Sequence, residues 1–134
     1  MAAFEGTPCQ ALGGEAVVRA LVESFYDAMD AHEPALARLH PLDEQGRVSR
    51  ASRDRFAAFL VMWLGGTDDY TPHHGHPRLR MRHARVRVDG AMRDAWMRAM
   101  GRALDAQGIG GEVRGFVATR LGEVADFLRN SADP

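Results

Sequence analysis

Apolar residues recur at three- and four-residue spacing along most of the chain, the period of an α-helix with one buried face. Val18, Leu21, Val22, Phe25 and Met29 form one stripe, and Phe56, Phe59, Leu60 and Trp63 a second. Met92, Ala95, Trp96, Ala99, Met100, Ala103 and Leu104 form a third, and Val113, Phe116, Val117, Leu121, Val124 and Leu128 a fourth. Thr7 and Pro8 start a short first helix that Gly13-Gly14 stops. Pro34 and Pro41 leave a short helical turn around residues 35–39. Ser49 or Ser52 caps the second stripe, and Gly65-Gly66 ends it. Pro77 opens a short helix ending near His83. Asp89 caps the third stripe, which breaks at Gly108, Gly110 and Gly111. Residues 41–49 read as a loop and 67–75 as an irregular connection. Arg85 to Val88 alternate like a strand but have no partner strand, so they read as an extended connection. The pattern predicts an all-α single domain over residues 1–134, with frayed ends at 1–6 and 131–134. It has four substantial helices, two short ones and joints longer than a regular bundle uses. The long 65–76 connection suggests that something other than protein fills part of the core.

Composition narrows the partners. The 134 residues carry 17 basic and 18 acidic side chains, a net charge of −1, so no global field favours nucleic acid or a membrane surface. All 17 basic residues are arginine, which reads as genomic bias. Arginine also suits carboxylates through paired donors. Cys9 is the single cysteine, so no intrachain disulfide forms. Met1 to Gly14 lacks the basic start and apolar centre of a secretory signal, and Phe56 to Leu64 is too short an apolar run to span a bilayer. These features predict a cytoplasmic protein.

Three groups of residues carry candidate chemistry. His73, His74, His76 and His83 lie within 11 residues. They lack the paired clusters of structural zinc and the HExxH spacing of catalytic zinc. Taken alone, His83 reads as an ordinary core or surface histidine, although Leu79 and Met81 would give it an apolar wall. Arg78, Arg80, Arg82, Arg85 and Arg87 form a cationic run, but no aromatic residues alternate with them to stack bases. Among the aromatics, Tyr26 and Trp96 have polar tips that need a partner when buried.

These residues come together in one family. The run Gly75-His76-Pro77-Arg78-Leu79-Arg80-Met81-Arg82-His83 closely resembles the proximal segment of group II truncated haemoglobins. Phe25-Tyr26-Asp27, Gly65-Gly66 and Arg93-Asp94-Ala95-Trp96 match the same family in order and spacing, so the resemblance covers about residues 7–130. It implies a two-over-two helical sandwich around one haem b (iron protoporphyrin IX). It implies His83 as proximal iron ligand and Tyr26, His40 and Trp96 as distal donors. Ser52 and Phe56 fall at distal positions, and Arg55, Arg82 and Tyr70 at positions near the propionates. Phe59 and Leu79 complete the expected haem contacts. The implied ligands are O2, CO and NO, with a redox partner, no nucleic acid, no membrane, and a monomer or homodimer. Three strong donors would slow O2 release, which suits NO or peroxide detoxification (NO dioxygenase or peroxidase-like chemistry) or redox sensing better than oxygen transport. The alternative is a haem-free ligand-binding or interaction domain on the same fold. The chain departs from the family in a longer loop between His40 and Ser52, in Ala84-Arg85-Val86 after His83, and in the bulk of Phe56.

Overall fold

The computed structural model describes residues 6–84 and 86–131; the side chains of Arg80 and Arg82 lie outside that description. The expected frayed ends fall almost wholly outside it. Among the described residues eight helices follow in order: α1 (Pro8–Leu12), α2 (Glu15–His32), α3 (Pro34–Ala37), α4 (Arg50–Trp63), α5 (Tyr70–His74), α6 (Leu79–His83), α7 (Gly90–Ala106) and α8 (Gly111–Phe127). Among the described residues there is no strand, only an isolated bridge between Leu42 and Val48. None of the described helices is long and apolar enough to cross a membrane.

The four long helices carry the four predicted stripes. They form two pairs, α2 with α4 and α7 with α8, joined where α2 lies on α7. This is the two-over-two sandwich. Val18, Leu21, Val22, Phe25 and Met29 of α2 are fully buried, as are Ala99, Met100 and Ala103 opposite them. Ser49, not Ser52, caps α4: its hydroxyl accepts from the Ser52 N–H at 3.3 Å. Asp89 caps α7 through the Met92 N–H at 3.0 Å. At α1, Thr7 and Gln10 bond each other's backbone in a capping box.

Gly65-Gly66 does more than end α4. A side chain at Gly65 would meet the Thr7 Cβ at 2.9 Å, and one at Gly66 the Val61 Cγ1 at 2.7 Å and the Cys9 Sγ at 3.1 Å. The pair therefore lets α1 lie on the end of α4, where the Cys9 N–H donates to the Leu64 carbonyl at 2.9 Å.

Two local expectations need correcting. The 67–75 connection holds a helix, α5. The Asp68 carboxylate accepts from the Thr71 N–H at 2.8 Å, and Pro72 falls in the first turn, where its missing N–H costs nothing. Helix α6 starts at Leu79 rather than Pro77, because Arg78 takes a left-handed conformation, φ 47°. That is an uncommon conformation for a residue with a side chain. The 41–49 loop is long but ordered: the Asp43 carboxylate accepts from the Gln45 and Arg47 N–H groups, and Ser49 N–H donates to Pro41.

Candidate functional site

Aromatic rings from four helices meet between the two layers. Phe25 lies 4.9 Å from both Tyr26 and Trp96, and 5.5 Å from Phe56, centroid to centroid. Phe56 is 5.9 Å from Tyr26 and 6.1 Å from Trp96. The cluster continues through Phe59 to Tyr70 and then His74. Tyr26, Trp96, Phe56, Phe59 and Tyr70, chosen from sequence, are thus one contiguous set.

Two polar tips in this cluster have no partner among the described residues. Neither the Tyr26 hydroxyl nor the Trp96 indole N–H bonds another described residue. Among the described residues no side-chain N or O atom is both sealed from solvent and unpartnered. The Tyr26 hydroxyl, on a residue only 5% exposed, therefore opens onto space rather than protein. Burial pushes this hydroxyl well above its ordinary value of 10.0, so it stays protonated and able to donate.

His83 is the last residue of α6 and is half-buried. Its Nδ1 sits 2.7 Å from the Leu79 carbonyl. A carbonyl only accepts, so Nδ1 carries the hydrogen and the neutral ring keeps its lone pair on Nε2. That is the state an iron ligand requires, with its orientation fixed by the second nitrogen. Leu79 serves here through its backbone, and its side chain is half-buried.

The His40 Nδ1 lies 3.1 Å from the Leu36 carbonyl, so the same reasoning places the lone pair on Nε2. In that tautomer neutral His40 offers an acceptor at Nε2. Its ring meets Tyr26 edge-on at 5.6 Å. Burial lowers its pKa from 6.5, outweighing the hydrogen bond to Leu36. In the pH range just below 6.5, the unfolded chain binds a proton at His40 that the folded chain resists, so stability falls as pH falls. The depressed carboxylates Glu23, Asp43 and Asp89 act at lower pH, below the ordinary carboxylate range. Between pH 7.5 and 5 the thermal midpoint of the parent should therefore drop more steeply than that of His40→Phe. Parallel slopes would remove His40 as the source.

The remaining candidates lie apart from the cluster. Ser52 stands in the first turn of α4, with its Oγ accepting from Ser49 at 3.2 Å. Arg55 is exposed and has no carboxylate partner among the described residues. The side chain of Arg82 lies outside the described residues.

Sequence reasoning missed Arg53. Its side chain is buried, donating to Asp27 and Asp30, both at 2.8 Å, to Glu23 at 3.2 Å and to the Val48 carbonyl at 2.9 Å. The guanidinium carbon lies 5.7 Å from the centre of the Tyr26 ring. Asp30 also accepts from the Val48 N–H at 3.1 Å. One cation thus fastens the 41–49 loop, α2 and α4 together behind Tyr26.

Comparison with known proteins agrees with this arrangement. A family model for the bacterial-like globin matches residues 7–130. The group 2 truncated hemoglobin YjbI of Bacillus subtilis (strain 168) is 35% identical over 126 residues, covering 94% of this chain and 90% of that one. The crystal structure of the group II truncated hemoglobin from Bacillus anthracis superposes with a TM-score of 0.87 at 33% identity, covering 98% of this chain and 96% of that one. The truncated oxygen-avid haemoglobin from Bacillus subtilis gives 0.83 at 34% identity, covering 93% and 100%.

Proposed function

The chain belongs to the bacterial-like globins as a group II truncated haemoglobin, a family of haem-based gas binders, and on that footing we propose that His83 ligates the iron of haem b while Tyr26 and Trp96 hold O2 tightly. Haem held by one histidine supplies an iron with an open sixth site for O2, CO or NO. The observation that carries the reading is the His83 ring: Nδ1 is committed to Leu79, so the neutral ring keeps its lone pair on Nε2. The contiguous rings of Phe56, Phe59 and Tyr70 would supply apolar contacts to the haem, and Leu79 would add to them. Arg55 has an unused guanidinium for a propionate, a role in which Arg82 would join it. Ser52, engaged by Ser49, contributes at the margin.

Tyr26 and Trp96 are the donors for the outer atom of a diatomic ligand. Each hydrogen bond in a dry pocket is worth about 1–1.5 kcal/mol, or roughly tenfold in off-rate. Two such donors slow release, in keeping with the oxygen-avid relative. Slow release favours NO or peroxide detoxification, or redox sensing, over delivery of oxygen. Trp96→Phe removes one donor and keeps the ring. O2 dissociation, followed by CO displacement in a stopped-flow instrument, should then be about tenfold faster. An unchanged rate would mean that the indole N–H does not reach the ligand.

A further inference from the structure

Asn130 follows α8 and is exposed, yet its side chain is wholly engaged with the segment after His83. Its Nδ2 donates to the His83 carbonyl at 3.1 Å and to the Val86 carbonyl at 2.8 Å. Its Oδ1 accepts from the Val88 N–H at 2.8 Å and from the Ser131 hydroxyl at 3.0 Å. The backbone continues the junction: Asn130 N–H and Ser131 N–H donate to the Val88 carbonyl at 2.8 and 3.2 Å. Both amide hydrogens and both oxygen lone pairs are spent. Two carbonyls face one end of the amide and an N–H faces the other, so its orientation is unambiguous.

The segment held in this way is weak by itself. Helix α6 has five residues, no side-chain N-cap, and the left-handed Arg78 at its entry. So short a helix does not sustain itself, and His83 is its terminal residue, where fraying is greatest. The His83 ring is tied back to Leu79, while its carbonyl is tied forward to Val86 N–H and to Asn130.

We propose that Asn130 is a positioning residue for the proximal ligand: it closes the C-terminal end of α6 and thereby fixes where the His83 imidazole points. This rests on the reading of His83 as iron ligand. No charge is involved. Asn130→Asp keeps the shape but replaces Nδ2, with both its donor hydrogens, by one oxygen that faces two carbonyls, so it should disturb the segment at least as much as Asn130→Ala.

The test uses haem-loaded parent, Asn130→Ala, Asn130→Asp and His83→Ala. In both Asn130 variants, haem transfer to excess apomyoglobin should be about tenfold faster, the scale on which partners behind a metal ligand act. The iron–histidine stretching band of the ferrous protein, seen by resonance Raman, should shift or broaden. Hydrogen exchange at the Val88 amide should accelerate. Faster exchange with an unchanged iron–histidine band and unchanged haem loss would overturn the proposal, leaving a clamp with no influence on the ligand. If the parent takes up no haem, or if its iron–histidine band survives in His83→Ala, the assignment of His83 fails instead. The two failures are thus distinct.

Discussion

Replacing His83 with alanine should abolish the histidine-type ferrous–CO spectrum and speed haem loss by about 100-fold or more, beyond the 10–100-fold seen when only a supporting partner is removed. His40 also keeps a lone pair on Nε2, but its ring is braced against Leu36 and Tyr26. Free imidazole added to the mutant should restore the parent spectrum, because the cavity left behind is the size of the ring. The backbone of α6 loses only the Nδ1 bond to Leu79. Helix content by circular dichroism should therefore stay close to that of the parent. Soret spectra of the reduced proteins under CO, with and without imidazole, decide the matter. A mutant that matches the parent without imidazole would place the iron on another residue.

Arg53→Met should lower stability by about 3 kcal/mol, the low end of the range for removing one partner of a buried ion pair. The low end applies because Asp27 and Glu23 side chains are 63% and 37% exposed and can turn to water. Asp30, at 11%, cannot, and it would lose its cationic partner while still holding the Val48 N–H. The drop corresponds to about 10 °C in midpoint for a chain of this size. Arg50→Ala, which removes an exposed partner of Glu23 and Asp54, should shift stability by about 0.5 kcal/mol or less. Denaturant unfolding of the two variants gives the comparison; equal small effects would mean that the Arg53 cluster is structurally idle. Because Arg53 lies under Tyr26, O2 release should also quicken in Arg53→Met.

Much of this was readable from the residues alone, for identifiable reasons. The four long helices announce themselves because burial on one face imposes a period that local sequence must obey. Ser49, Asp89 and Thr7 are legible as caps because a cap acts within three residues of itself. Helix α5 was hidden because Asp68, Asp69 and Pro72 are turn-formers and helix-starters alike. Only the burial of Tyr70 against Phe59 settles which. Arg53 and Asn130 were invisible for a different reason. Arg53 finds its carboxylates 23 to 30 residues upstream, and Asn130 its carbonyls 44 and 47 residues upstream. Nothing local marks either among 17 arginines or at the end of a helix. The tautomer of His40 was hidden because it depends on which carbonyl the ring meets.

The junction between residues 83–88 and 130–131 also bears on how the molecule is made. A chain is synthesised and folds from its N-terminus, domain parts collapsing as they emerge. Helices α2 and α4 can meet early, and Arg53 can find all its partners as soon as residue 53 is free. The segment behind His83 must wait for Asn130, more than forty positions later. On the ribosome, the α2–α4 layer is therefore available well before the segment behind His83 is secured. A cofactor held by His83 would be secured only after Asn130 has emerged.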